Sequence, residues 1–96
     1  MRPSLAIQQH RNEILSLAQK HGAENLRIFG SVARGEDIDG SDLDLLVTLG
    51  KKQTPFFPGG LIADLQDILN CDVDVVTEEA LHKMIRDAIL LEAKPL

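Results

Sequence analysis

The sequence predicts an α/β domain in which short β-strands alternate with helices. Three segments, residues 26–29, 43–49 and 73–76, are rich in β-favouring residues and short enough to be the strands of a small sheet. The segments around them carry apolar residues at helical spacing. With 96 residues in total, the chain has the size of one compact domain, and we predict a single domain over residues 1–96.

The predicted helices begin and end at recognisable signals. The first follows Pro3 and stops before Gly22, a residue that suits the left-handed position after a helix. The last follows Thr77, whose hydroxyl can cap the first turn. The four predicted helical segments, of which the second is a single turn, cover residues 4–21, 32–35, 61–69 and 78–92.

The middle strand and the loop after it differ in composition. Residues 43–49 are mostly β-favouring and are predicted to form the central strand. Residues 50–60 contain prolines, glycines and two lysines, which predicts a long loop. Within it, Phe56 and Phe57 are two of the three phenylalanines in the chain. They either anchor the loop to the core or form an exposed contact for a partner or a base.

Charge and composition exclude several classes of protein. The 15 acidic and 10 basic residues give a net charge of -5, which disfavours attraction to a nucleic-acid backbone. The single cysteine, Cys71, cannot form an internal disulfide, which is consistent with a reducing compartment. Neither a signal peptide nor an apolar run of about 18 residues is recognisable. We therefore predict a soluble, cytoplasmic protein that does not bind nucleic acid directly, with its three histidines at the surface.

Two carboxylates at the spacing of a strand are the main candidate for chemistry. Asp42 and Asp44 are expected on the same face of the central strand, with Cα atoms ~6.6 Å apart. Because such carboxylates repel, either one holds a proton through a raised pKa, or a cation with oxygen ligands, such as Mg²⁺, lies between them. Chemistry on a nucleoside triphosphate would use such a pair. The preceding Asp37 and Asp39 are predicted to be solvated turn residues, and the spacing excludes an EF-hand.

The pair Gly30 and Ser31 is a candidate phosphate-binding turn. Glycine lets the backbone approach a ligand closely, amides at a helix N-terminus attract anions, and the serine adds a hydroxyl donor. Taken alone, such a pair is more often an ordinary turn. A P-loop is excluded because Glu36 stands where lysine is required after Gly35, and a dinucleotide-binding motif lacks its third glycine.

Two segments together point to a known family. Residues 30–36 read Gly-Ser-Val-Ala-Arg-Gly-Glu, and residues 41–47 read Ser-Asp-Leu-Asp-Leu-Leu-Val. This pattern resembles the polymerase-β-like nucleotidyltransferases, and within them the short minimal nucleotidyltransferase (MNT) branch. Residues 73–77, Val-Asp-Val-Val-Thr, and the final helix lie where that branch has its third carboxylate strand and closing helix. The resemblance implies the polymerase-β-like nucleotidyltransferase fold, a small mixed sheet of three to four strands flanked by helices.

The resemblance also implies roles for the acidic residues. Asp42 and Asp44 resemble the ligands shared by two Mg²⁺ ions, which hold a triphosphate and stabilise the attacking and leaving oxygens. Asp74 resembles the third acid, which completes the metal site and can take the proton of the attacking hydroxyl. Asp72 is a competing candidate because residues two apart on a strand face the same way.

The remaining motif residues resemble the nucleotide-binding part of the family. Gly30 and Ser31 would bind the β- and γ-phosphates, with ATP as the expected substrate. Arg34 would either offset phosphate charge or brace the acidic loop through Glu36 or Asp37. The transferred group would be AMP, and the acceptor a hydroxyl.

The short chain limits the possible acceptors. Larger relatives carry an extra domain that presents the acceptor, and stand-alone MNT proteins are typically paired with a HEPN-domain toxin. The resemblance therefore implies an antitoxin that adenylylates a tyrosine of a HEPN partner, as a homodimer or in a hetero-oligomer. Two alternatives are an antitoxin that binds nucleotide and only masks its partner, and an enzyme acting on RNA or a small molecule. The second alternative would depend on Arg34, Lys51 and Lys52 as basic residues near the site.

Overall fold

The computed structural model describes all 96 residues and has three α-helices, one short 3₁₀ helix and a four-stranded mixed sheet. This architecture confirms the predicted fold class. No helix is both long and apolar enough to span a membrane. The elements in chain order are α1 (Pro3–His21), β1 (Ala23–Phe29), β2 (Leu43–Leu49), α2 (Gly59–Leu69), β3 (Val73–Thr77), the 3₁₀ helix (Glu78–Ala80), α3 (Lys83–Glu92) and β4 (Lys94–Pro95).

The sheet has the strand order β3-β2-β1-β4. Strand β2 pairs in parallel with β3 and antiparallel with β1, so it lies inside the sheet, as predicted for the central strand. Strand β4 adds only two residues to the outer edge of β1. In this register Asp44 lies opposite Asp74 on one side and opposite Phe29 on the other.

The hydrophobic core lies on one face of the sheet, under α1 and α2. Alternate residues of β2, namely Leu43, Leu45 and Val47, are fully buried in this core together with Leu61 and Leu65 of α2. Because side chains alternate across a strand, Asp44 projects from the other face. The helix layer therefore leaves the second face of the sheet for the acidic residues.

The end of the chain differs from the single helix predicted over residues 78–92. Thr77 accepts a hydrogen bond from the Ala80 N–H at 3.3 Å, as expected of a cap, but the turn that it caps is a 3₁₀ helix. The chain then becomes extended at Leu81, and α3 starts anew after His82, whose Nδ1 accepts from the Met84 N–H at 3.2 Å. The second cap interrupts the helix.

The turn after β1 was predicted to be helical over residues 32–35, and this was wrong. Three backbone hydrogen bonds that span different numbers of residues close the turn. The Arg34 N–H donates to the Gly30 carbonyl, the Gly35 N–H to the Val32 carbonyl, and the Glu36 N–H to the Ser31 carbonyl. Such mixed spacing produces a compact turn without a following helix. Any anion site here therefore depends on the turn's own amides.

Two polar side chains predicted at the surface are buried. His21 is 6% exposed, and its Nδ1 and Nε2 lie 2.6 Å from Thr54 Oγ1 and 2.7 Å from Asp64 Oδ2. Asp37 is 3% exposed, and its carboxylate accepts the N–H of Ser4 in the first turn of α1 at 2.8 Å. Both side chains are buried because a distant segment supplies their hydrogen-bond partners, which a local motif does not reveal.

Of the two phenylalanines in the loop after β2, one anchors the loop to the core and the other is exposed. Phe57 packs against the hydrophobic core, whereas Phe56 is 92% exposed. The loop follows the C-terminal end of β2, and Asp44 lies near the other end of that strand. Phe56 is therefore remote from the acidic residues.

Candidate active site

The three acidic residues predicted for the site come from two adjacent parallel strands. Asp44 on β2 and Asp74 on β3 are direct partners in the register, which brings their Cα atoms to about 4.8 Å, the usual spacing of neighbouring strands. Asp42 lies just before β2, two residues from Asp44. Asp44 is half-buried, whereas Asp42 and Asp74 are exposed. The structure thus brings all three to one end of the sheet.

The electrostatics of Asp44 reflect this crowding. Burial, followed by the negative charges of Asp74 and Asp42, raises the pKa of the Asp44 carboxyl above its usual value. Glu92 raises the pKa further, and Arg34 acts in the opposite direction. The carboxylate of Asp44 is therefore stabilised by any positive charge that binds next to it.

The backbone of Gly30 is shaped to admit the Asp44 carboxylate. Gly30 follows Phe29, the register partner of Asp44, and has a φ of +76°, in the left-handed region that favours glycine. A Cβ atom at this position would lie 2.3 Å from Asp44 Oδ2. Glycine is thus required both by the turn and by the close approach of the acid.

The turn beginning at Gly30 presents unpaired amide groups. The N–H groups of Ser31, Val32 and Ala33 make no hydrogen bond within the protein, whereas the next three residues are paired inside the turn. Successive free N–H groups in a turn form an anion-binding concavity. This turn begins beside Asp44, so an anion bound there would adjoin the acidic residues.

Arg34 is held by two carboxylates. Its Nε donates to Glu36 Oε1 at 2.7 Å and its Nη1 donates to Glu92 Oε1 at 2.6 Å. The contact with Glu36 was one of the sequence-based expectations, and no contact with Asp37 forms. The hydrogen bond to Glu36, the largest of several contributions, raises the pKa of Arg34 above its usual value.

Glu92 was not predicted from the sequence. It lies 58 residues from Arg34 in the chain, at the end of α3, and belongs to no motif. Strand β4 follows α3 and pairs with β1, and this pairing brings the end of α3 to this side of the sheet. An acidic residue near the end of an amphipathic helix gives no sequence signal for such a contact.

The donor chemistry of the site suits a divalent cation, although the site is not preformed. No three His, Cys, Asp or Glu side chains are close enough to bind one metal ion as they stand. None of the carboxylates of Asp42, Asp44 and Asp74 accepts a hydrogen bond from this chain, so all their oxygens are free to bind a ligand. Exposed carboxylates can change rotamer, and oxygen ligands of this kind are those that Mg²⁺ prefers. The residues present therefore fit a divalent cation.

The competing acid borders the site, whereas the two lysines lie at the far end of β2. The Asp72 carbonyl accepts the Leu43 N–H at 2.8 Å, and burial, followed by the charges of Asp72 and Asp42, raises the pKa of the Cys71 thiol. Asp72 therefore lies beside Asp42 but outside the register pair of Asp44 and Asp74. Lys51 and Lys52 follow the far end of β2, where the Lys52 carbonyl packs against Gly22. The expectation that these lysines lie near the site was wrong, because β2 carries the chain away from Asp44.

Comparison with known proteins agrees with this geometry. A family model described as "Nucleotidyltransferase domain" matches residues 7–96. A protein of Methanocaldococcus jannaschii, provisionally named a protein adenylyltransferase, is 36% identical over 87 residues, which cover 91% of this chain and 94% of that protein.

Solved structures show the same fold. One, described provisionally as a minimal nucleotidyltransferase, superposes with a TM-score of 0.84 at 41% identity, covering 97% of this chain and 95% of that one. The MNT antitoxin fold also occurs in a complex from Shewanella oneidensis with a tri-AMPylated HEPN toxin, at a TM-score of 0.68 and 20% identity, covering 92% and 69% of the two chains. The latter likeness concerns the fold alone. From the matched family, the fold and the similarity to a minimal nucleotidyltransferase, we conclude that this chain belongs to the nucleotidyltransferase domain family, in its minimal branch.

Proposed function

We propose that this chain transfers AMP from ATP to a hydroxyl acceptor on a partner protein, in a reaction that depends on Mg²⁺. The observation that carries the proposal is the pairing of Asp44 with Asp74, next to a turn whose free amides suit an anion. A cation site and a phosphate site are thus adjacent. Family membership supports the reaction class, and the protein adenylyltransferase name of the Methanocaldococcus jannaschii relative supports a protein acceptor.

The proposed metal ligands are Asp42, Asp44 and Asp74. Bound divalent cations would neutralise the triphosphate and stabilise the oxygens that attack and leave. The charges of Asp74 and Asp42 both act on Asp44 and raise the pKa of its carboxyl. A bound cation would stabilise the ionised form of this carboxyl. Asp74 is exposed at the edge of the group, where an acceptor hydroxyl can approach it.

The proposed phosphate ligands are Gly30, Ser31 and Arg34. The close packing of Gly30 against Asp44 keeps the turn next to the acids, and Ser31 offers both a hydroxyl and a free N–H. Arg34 has donors left over after its two ion pairs, and its charge already acts on Asp44. These residues would hold the β- and γ-phosphates while the α-phosphorus faces the acceptor.

The proposed reaction requires few side chains. The acceptor oxygen forms a bond to the α-phosphorus, the bond from that phosphorus to the bridging oxygen breaks, and pyrophosphate leaves. Asp74 takes the proton of the acceptor hydroxyl. Orientation and charge neutralisation account for most of the catalysis in phosphoryl transfer, so the absence of a catalytic histidine from this site is no obstacle.

The proposed acceptor is a tyrosine of a HEPN-domain toxin in the cytoplasm, with this chain as its antitoxin. The Shewanella oneidensis complex, in which an AMPylated HEPN toxin is bound by an MNT antitoxin, supports this assignment. The α3 helix adds support because Met84, Ile85 and Leu91 leave apolar side chains exposed, and such a surface suits a protein partner. The same exposed helix is the observation that favours the second candidate function, masking of a HEPN partner without catalysis.

Adenylyl transfer is tested by mass spectrometry of the partner. The chain, a HEPN protein from the same organism, ATP and Mg²⁺ are incubated, and the partner's intact mass is measured. We expect the addition of AMP on a tyrosine with the native chain and with Asp72→Asn, but not with Asp74→Asn. Asp72→Asn is a matched control because it removes an exposed acid of the same strand region that lies outside the register pair of Asp44 and Asp74.

The masking alternative makes a different prediction. If toxin neutralisation is unchanged in Asp42→Asn and Asp44→Asn, and no AMP is found on the partner bound to the native chain, then binding alone explains the function. Loss of both AMP addition and neutralisation in these variants would instead support catalysis.

A further inference from the structure

The end of α3 is tied to the candidate site through a single side chain. Glu92 Oε1 accepts from Arg34 Nη1 at 2.6 Å, and Glu92 is only 28% exposed. The rest of α3 is loosely attached, since none of its residues is fully buried. The contact with Arg34 is thus the main polar link between this helix and the site.

Glu92 and Glu36 together fix the orientation of the Arg34 guanidinium. They bind two different nitrogens, Nε and Nη1, of a planar group that has five N–H donors. Two of these donors are occupied, so three remain available in fixed directions. A guanidinium held in this way loses less freedom when it binds an anion.

We propose that Glu92 is a positioning residue, which orients Arg34 toward the phosphates of the nucleotide. The inference rests on the proposed function, because it gives Arg34 a phosphate to bind. Glu92 does not itself touch the substrate. The Arg34 N–H donates to the Gly30 carbonyl at 3.2 Å, and Gly30 packs against the Asp44 carboxylate, so the ion pair lies beside the acidic residues rather than at a distance from them.

Two other roles for Glu92 make different predictions. As a purely structural contact, it would hold α3 in place, and its loss would lower Tm while leaving the Kd of Mg²⁺-ATP unchanged. As a competitor, it would occupy the donors that the phosphate needs, and its loss would tighten ATP binding. A positioning residue acts only through Arg34 and weakens ATP binding when it is lost.

A double-mutant cycle separates these roles. Glu92→Ala, Arg34→Ala and the double variant are compared for the Kd of Mg²⁺-ATP by calorimetry and for the KM and kcat of AMP transfer. We expect Glu92→Ala to raise Kd and KM by about 3- to 10-fold with a smaller effect on kcat, since an oriented donor is lost from binding. In the Arg34→Ala background we expect no further change. Glu92→Gln, which keeps an oxygen acceptor, should restore part of the loss.

A control on the same helix and a control for the site complete the design. Asp87→Ala removes an exposed acid of α3 that makes no ion pair, and it should leave Kd unchanged. An unchanged or lower Kd in Glu92→Ala, or an equal rise in Kd with and without Arg34, would overturn the inference. Normal AMP transfer by Asp44→Asn would instead overturn the proposed function. The two failures are therefore distinguishable.

Discussion

Substitution of Gly30 by alanine tests whether the turn and the acid must touch. An alanine at a φ of +76° costs about 1–2 kcal/mol in backbone strain. Its Cβ would lie 2.3 Å from Asp44 Oδ2, whereas ordinary contacts begin at 3.4 Å, so an atom must move by about 1 Å. Because Oδ2 is the end of a side chain, we expect the carboxylate to move and the backbone to stay.

The expected result is a large loss of activity with a modest loss of stability. A shift of about 1 Å at a reacting site can lower the rate by about 100-fold. The strain should lower Tm by about 5–10 °C for a domain of this size. The rate of AMP transfer to the partner and thermal unfolding followed by circular dichroism measure the two effects.

Gly40→Ala is the matched control for this substitution. Gly40 has a φ of +90°, and a Cβ added there would meet no atom within 4 Å. It should lower Tm by a similar amount and keep near-native activity. If Gly30→Ala transfers AMP within about 3-fold of Gly40→Ala, the close approach of Gly30 to Asp44 has no role in catalysis.

Other substitutions separate activity from stability. Asp44→Asn should lower AMP transfer by about 100-fold or more, yet raise Tm at pH 7, because burial and Asp74 disfavour the charged form in the folded state. The sign follows from the raised pKa: the penalty is present above it and absent below pH 3.8, where the gain in Tm should vanish. His21→Ala should lower stability by about 1–3 kcal/mol in urea unfolding while transfer is unchanged, since the contact is remote from the site. The hydrogen bond to His21 lowers the pKa of Asp64, so this contribution is present above pH 3.8 and should fade as the pH falls through the lowered value. Asp37→Ala should cost about 1–2 kcal/mol by the same assay, because it removes a buried acceptor for the first turn of α1, and Asp37→Asn should restore part of the loss. Equal urea midpoints for Asp37→Ala and the native chain would contradict the capping role.

The sequence predicted the elements that have strong local signals. Strand β2 was predicted with its observed bounds, because a run of β-favouring residues is enclosed by polar turns. The first helix was predicted to within one residue, since Pro3 and Gly22 mark both ends. Thr77 was correctly identified as a cap, although a second cap at His82 restarts the helix. Strand β4 has two residues and no periodicity that a sequence could reveal.

The site was predictable to the extent that it depends on motifs. The spacing of Asp42 and Asp44 and the resemblance of the third strand together identified the acids that the structure brings to one end of the sheet. The contact between Arg34 and Glu92 was not predictable, because it depends on how α3 returns across the sheet. The burial of His21 was missed for the same reason, since its partners come from the loop after β2 and from α2.

If Asp44 and Asp74 hold a divalent cation together with the nucleotide, both carboxylates are needed for metal binding. Electron paramagnetic resonance can follow Mn²⁺ binding in the presence of a non-hydrolysable ATP analogue. We expect bound Mn²⁺ with the native chain and with Asp72→Asn, and at least about 10-fold weaker binding with Asp44→Asn and Asp74→Asn. Unchanged Mn²⁺ binding in Asp44→Asn would show that Asp44 is not a metal ligand.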